Sequence, residues 1–143
     1  MAQLGPSTRF FFYGTLLDAD LRRHVIGRDL AATHLVPAAV TGFRRVRVQG
    51  QGYPMLVPGE ATDRVEGVIG SGLDASEIAA LVAYEGEGYG LQPITTRLAD
   101  GTTCVAQIFR PLAGGVHLPS DETWDLARWQ REHKPGVLSR PAV

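Results

Sequence analysis

The stretch Tyr84-Glu85-Gly86-Glu87-Gly88-Tyr89-Gly90 places a carboxylate where a helix should be apolar. Ile78, Leu81 and Val82 precede Glu85 by seven, four and three residues, the spacing of one helix face, so Glu85 continues the core-facing stripe. It also stands at the negative end of that helix. Both effects favour the neutral acid and predict a raised pKa, which makes Glu85 a candidate proton carrier. The competing reading is a solvent-exposed or snorkelling glutamate at a frayed helix end. Glu87 follows just past Gly86, but carboxylate pairs of the glycosidase type stand across a groove about 5 Å or more apart, so Glu87 is read as a bystander.

Gly14 is the second site of interest. It ends the aromatic run Phe10-Phe11-Phe12-Tyr13 and is followed by Thr15-Leu16. A glycine there permits a tight turn whose amides can meet one anionic or carbonyl oxygen. An ordinary strand-ending turn with Tyr13 in the core fits the same spacing. Other signals are weaker. Gly86, Gly88 and Gly90 follow a helix instead of opening one, so they are no dinucleotide fingerprint, and no phosphate-loop Gly-Lys-Ser/Thr occurs. His24, His34, His117 and His133 lack metal-ligand spacing, and no metal site is expected. Cys104, in a predicted strand, reads as buried and inert, with a nucleophilic role as the alternative. Arg44, Arg45 and Arg47 read as a solvated strand face, or as contacts to an acidic substrate.

Several elements must position these residues. Phe10 to Tyr13 reads as a buried strand, Asp18 to Gly27 as a short helix, and Val36 to Val48 as β-rich sequence broken by Pro37 and Gly42. Tyr53 to Pro58 is an extended piece fenced by prolines, and Arg64 to Ile69 a strand. Asp74 and Glu77 form a capping-box signature for a helix that Gly86 ends in the left-handed conformation. Ile94 to Leu98 and Thr102 to Phe109 read as a hairpin around Asp100-Gly101. A last helix is predicted from Ser120 to about Lys134, anchored by Trp124 and Trp129 and stopped by Pro135-Gly136. Together these indicate one α+β domain over residues 1–136 and a mobile tail over 137–143.

The 143-residue length fits such a domain, and 44% hydrophobic with 20% charged residues is ordinary for a globular protein. A formal net charge of −1 gives no reason to expect nucleic acid or anionic membrane as partner. Thirteen of the fourteen basic residues are Arg and Asn is absent, a bias that points to a GC-rich bacterial genome. The single cysteine excludes an intramolecular disulfide. Residues 1–9 do not read as a secretory signal, and no apolar run approaches the roughly 18 residues that span a bilayer, so the expected location is cytoplasmic. Oligomeric state is not legible.

Phe12-Tyr13-Gly14-Thr15-Leu16, Tyr53-Pro54 with Leu56 and Pro58, Val65-Glu66-Gly67, and Tyr84-Glu85-Gly86 with Tyr89 follow one another in an order that resembles the γ-glutamylcyclotransferase-like family, which includes AIG2-like proteins and γ-glutamylamine cyclotransferases. The resemblance covers roughly residues 8–112. It implies a small mixed-strand β-barrel flanked by helices around one cavity, with no metal or organic cofactor. It further implies substrate contacts from the turn Tyr13, Gly14, Thr15 and Leu16, and a catalytic role for Glu85. The implied reaction converts a γ-glutamyl amine or γ-glutamyl amino compound to 5-oxoproline plus the free amine. Two positions depart from the family pattern. Leu81-Val82-Ala83 stands where an acidic residue is common, and Leu91 where an arginine is common. They motivate the alternative of a non-catalytic small-molecule-binding or interaction protein on the same barrel.

Overall fold

The period-two alternation of the aromatic run decides the architecture. In a computed structural model that describes residues 4–112 and 117–138, Phe10–Phe12 form β1, buried on both faces. Phe11, with Tyr13 just beyond the strand, points into a barrel interior with Val40, Leu56, Val65, Ile69 and Ile108. Phe10 and Phe12 point outward into a second core shared with Leu21, Leu73, Ile78, Leu81 and Trp129 from the helical layer. Alternate side chains of one three-residue strand thus join two cores.

The barrel contains β1, β2 (Leu35–Thr41), β5 (Arg64–Gly70), β6 (Tyr89–Leu98) and β7 (Thr103–Pro111), in the order β1-β5-β2-β6-β7. Neighbours are antiparallel except where β1 and β7 close the ring in parallel at Phe10 and Gln107. Closure leaves no free barrel edge. A second sheet, β4-β3-β8, is built from β3 (Phe43–Val48), β4 (Pro54–Pro58) and β8 (Pro119–Thr123). The helices are α1 (Ala19–Ile26), α2 (Ala75–Glu85), α3 (Leu126–Glu132) and α4 (Lys134–Leu138). This is the expected α+β barrel flanked by helices.

The caps follow the sequence signals. Asp18 accepts from the Leu21 amide at the start of α1, and Gly27 ends that helix at φ 96°. Asp74 and Glu77 form the reciprocal capping box of α2. Arg28 reinforces it by donating from Nε to Glu77 Oε2 at 2.6 Å.

Three expectations need correction. Residues 119–123 form a strand instead of the first turn of a helix. Pairing of Val46 with Thr123 and of Val48 with Pro119, and the Arg47–Glu122 ion pair at 2.9 Å, override the local helix-start signal. Helix α3 starts only at Leu126, capped by Asp125. Pro135-Gly136 does not end the helical region either. The chain breaks at His133 and resumes as α4, with Pro135 in its first turn, where a missing amide hydrogen is harmless. Val137 and Leu138 of the expected tail are therefore helical, and 139–143 lie outside the described residues. Finally, Gly86 has φ 88° but ψ 176°, an extended glycine conformation and not the left-handed helical one, so the chain leaves α2 directly toward β6.

Candidate active site

The end of α2 and the turn after β1 face one cavity of about 360 Å³, lined by Tyr13, Gly14, Thr15, Leu16 and Glu85 together with Tyr53, Pro54, Tyr84, Tyr89 and Val137. All five residues singled out from the sequence therefore border the same space. On α2 Ile78 and Leu81 are buried and Glu85 is half-buried at the cavity, while Val82 is 46% exposed. The stripe read from the sequence was one residue too wide.

Glu85 retains partial exposure, and that exposure opens on the cavity. Among the described residues its carboxylate has no hydrogen-bond partner. Desolvation by burial pushes its pKa up to about 8. The four tyrosines respond to the same environment. Tyr13 and Tyr89 are raised well above the ordinary phenol value and Tyr84 to about 12, in each case by burial first and the Glu85 charge next or further down the order of causes. Tyr53 is raised by burial and then by Glu85. Neutral phenols around a carboxyl group give a site that holds a proton without a fixed counter-ion.

The turn is held in place from several sides. Tyr13 donates its hydroxyl to the Phe109 carbonyl at 2.7 Å. The Thr15 and Tyr84 hydroxyls lie 2.7 Å apart and join the turn to the last turn of α2, the residue before Glu85. Gly14 starts a single 3₁₀ turn, Thr15–Leu17, whose Leu17 amide donates back to the Gly14 carbonyl at 3.0 Å. A Cβ at Gly14 would lie 2.9 Å from Pro54 Cγ, which is the local reason for glycine there. The Lys134 ammonium reaches Asp18 and Asp20, each at 2.8 Å, and fixes α4 with Val137 against α1.

Other candidates fall away from this cavity. Glu87 is exposed, and Cys104 is half-buried on β7 beside Thr96, not fully buried as expected. Leu91 packs against the helical-layer core. Arg44 is exposed, and Arg47 pairs with Glu122. Among the described residues no three His, Cys, Asp or Glu side chains gather where a metal ion could sit. No helix among them is long and apolar enough to cross a membrane. Sequence reasoning left Tyr53, Tyr84 and Tyr89 out of the site, although each stands within a motif that carried the resemblance. Arg45 carried no site signal beyond its charge. Its Nη1 donates to the Tyr13 carbonyl at 2.9 Å.

A profile of the family described as gamma-glutamyl cyclotransferase, AIG2-like, matches residues 10–130. The chain belongs to this family. It is similar to AIG2-like protein A of Arabidopsis thaliana, 27% identical over 124 residues that cover 87% of this chain and 73% of that protein. A solution structure of an Arabidopsis thaliana protein superposes with a TM-score of 0.66 at 25% identity, covering 92% of this chain and 86% of that one. A structure named gamma-glutamyl cyclotransferase gives a TM-score of 0.60 at 16% identity, over 94% of this chain and 88% of that one, and at that identity supports the fold alone. This AIG2-like chain thus shares a cyclotransferase fold, and the membership implies a small-molecule substrate.

Proposed function

We propose that this protein is a cofactor-independent cyclotransferase that converts a γ-glutamyl amine or γ-glutamyl amino compound to 5-oxoproline and the free amine in the cytoplasm, with Glu85 as general acid and base. The observation that carries the reading is the half-buried Glu85 carboxyl group, its pKa pushed up by desolvation, in the same cavity as the Tyr13–Leu16 turn. In this reaction the α-amino nitrogen of the substrate bonds to its own γ-carbonyl carbon, and the bond from that carbon to the amide nitrogen breaks. The nucleophile is tethered, so holding the folded-back geometry supplies much of the acceleration. The α-ammonium loses one proton and the departing nitrogen gains one. A single carboxylate between them carries it, and works best with a pKa close to the operating pH.

The amides of Gly14, Thr15 and Leu16 have no backbone acceptor among the described residues, which leaves them for the substrate. The leaving amine points away from them in this reading. Thr15, Tyr53, Tyr84 and Val137 also border a second hollow of about 380 Å³ toward Trp129 and His133. We assign the amine to that side. The departures from the family pattern do not favour the non-catalytic alternative, because neither Val82 nor Leu91 lines the cavity.

The test is incubation with a panel of γ-glutamyl amides and γ-glutamyl amino acids, with 5-oxoproline quantified. The reading requires product from at least one compound. It fails if none is turned over, and thermal stabilisation by a compound in the absence of any turnover would favour the non-catalytic alternative.

A further inference from the structure

Arg45 lies outside the cavity, yet its placement governs the cavity's floor. It extends from β3 of the small sheet to the end of β1 in the barrel, where Nη1 donates to the Tyr13 carbonyl at 2.9 Å and to the Glu66 carbonyl at 3.4 Å. Its guanidinium carbon stands 5.2 Å from the centre of the Trp124 ring, and that indole is itself locked by donating to the Gly52 carbonyl at 2.8 Å. Asp125 and Glu66 are the acidic groups that act on it, and among the described residues neither approaches within ion-pair distance. Its Nε is buried without a partner. An unpaired guanidinium held in this way is costly to keep unless its charge is used.

The Tyr13–Gly14 peptide connects that charge to the cavity. A trans peptide sets its N–H opposite its C=O. With the Tyr13 carbonyl turned to Arg45, the Gly14 N–H is turned the other way, and Gly14 lines the cavity. A carbonyl that accepts from a cation polarises its own peptide and makes the N–H a stronger donor. Among the described residues no Arg or Lys side chain lines the cavity, and Glu85 is the only ionisable carboxyl group that does. Among the described residues, the donors left for an anionic group on the substrate are the turn's backbone amides and the hydroxyls of Thr15 and the tyrosines.

We infer that Arg45 is the positioning residue for the substrate's α-carboxylate. It acts through the Tyr13–Gly14 peptide, whose carbonyl it fixes and whose N–H it aims at the carboxylate. This inference rests on the cyclotransferase reading for the identity of the anion, but not for the hold on the peptide.

The experiment compares wild type with Arg45→Met and Arg45→Lys. One arm measures kinetics on a γ-glutamyl amide and on its α-carboxamide analogue. The other records backbone amide spectra of labelled protein without substrate. A hydrogen bond supported by a full charge corresponds to roughly 10- to 100-fold in binding, so Arg45→Met should raise KM for the carboxylate substrate by that factor while kcat changes less than about threefold. The carboxamide, which lacks the charge, should keep its KM, and Arg45→Lys should recover part of the discrimination. The Gly14 amide resonance should move upfield in Arg45→Met while the turn at Asp100-Gly101 stays unchanged. Equal losses on both substrates would mark a general loosening and overturn the inference. So would a folded variant that keeps both the Gly14 resonance and the carboxylate preference. If Arg45→Met does not fold, Arg45→Lys alone decides on the same two readouts. Should the wild type convert no γ-glutamyl compound, the cyclotransferase reading falls. The Gly14 resonance, with titration by 5-oxoproline as a simple carboxylate, then judges Arg45 separately.

Discussion

Replacing Glu85 with Gln should remove activity and at the same time stabilise the protein above neutral pH. The side chains are nearly isosteric, so the cavity keeps its shape and only the proton site changes. The wild-type carboxyl titrates near 8 in the folded protein against an ordinary value of 4.5. A folded pKa raised in this way gives stability that is fully present below the unfolded value and is lost as pH rises through the folded one. Each unit is about 1.4 kcal/mol, which sets a ceiling of about 5 kcal/mol on the loss. Cavity water solvates part of the carboxylate, so about half of that, 2 to 3 kcal/mol, is the expected penalty at pH 9. Gln carries no such penalty.

Thermal unfolding of both proteins between pH 4.5 and pH 9 is the assay. The melting temperatures should converge at the acid end, diverge progressively as pH rises above 4.5 and level off beyond about pH 8, with the variant higher by on the order of 5 to 10 °C at pH 9. Turnover in the same samples should fall by about 10²- to 10⁴-fold, the usual contribution of general acid–base catalysis. Two results would refute the reasoning. If the melting curves of wild type and variant run parallel across the range, the carboxyl group is not held neutral by burial. If turnover survives within about threefold, Glu85 does not move the proton.

The remaining predictions concern the rest of the cavity. The productive state has one proton shared between Glu85 and the substrate amine, so kcat/KM should rise about tenfold per unit up to pH 8 and fall only when the substrate's own ammonium deprotonates. A profile flat from pH 6 to 8 would contradict this. Gly14→Ala puts a methyl group 2.9 Å from a rigid proline ring, and should cost about 1 to 3 kcal/mol of stability and at least about tenfold in kcat/KM through displacement of the turn. Wild-type kinetics in that variant would show that the turn does not position substrate. Val137→Trp should fill the passage toward Trp129, leaving the smallest γ-glutamyl amide within about threefold while bulky amines lose about tenfold or more. Competition between a small and a bulky amide in one reaction measures that ratio directly, and an unchanged ratio would place the leaving amine elsewhere.

The parts of the fold that were legible from sequence are those fixed by local chemistry. The capping box at Asp74 and Glu77 and the Asp-Gly turn at residues 100–101 each satisfy backbone groups within a few residues, and each stands where the sequence indicates. Pro119–Thr123 was misread because its helix-start residues pair with β3, a partner some seventy positions earlier in the chain that no local pattern reveals. The candidate site divides along the same line. Glu85 was legible because it violates an apolar face. Arg45 was not, since its meaning depends on a carbonyl thirty-two residues away on another sheet.

Those two residues share a property that bears on the proposed chemistry. Folding satisfies nearly all buried polar groups, and a protein retains an exception where function repays it. Among the described residues Arg45 Nε is the buried side-chain atom left without a partner, and Glu85 is the carboxyl group driven toward neutrality by burial alone. They lie on opposite sides of the same short turn, one behind its first peptide and one across the cavity from it. A substrate with an anionic end and a proton to exchange would use both, giving its carboxylate to the turn amides that Arg45 backs and its ammonium to Glu85. Neither side chain alone selects a γ-glutamyl compound. In the proposed reading the Tyr13–Leu16 turn would meet the carboxylate and Glu85 the ammonium, which fits the α-amino-acid end of a γ-glutamyl compound.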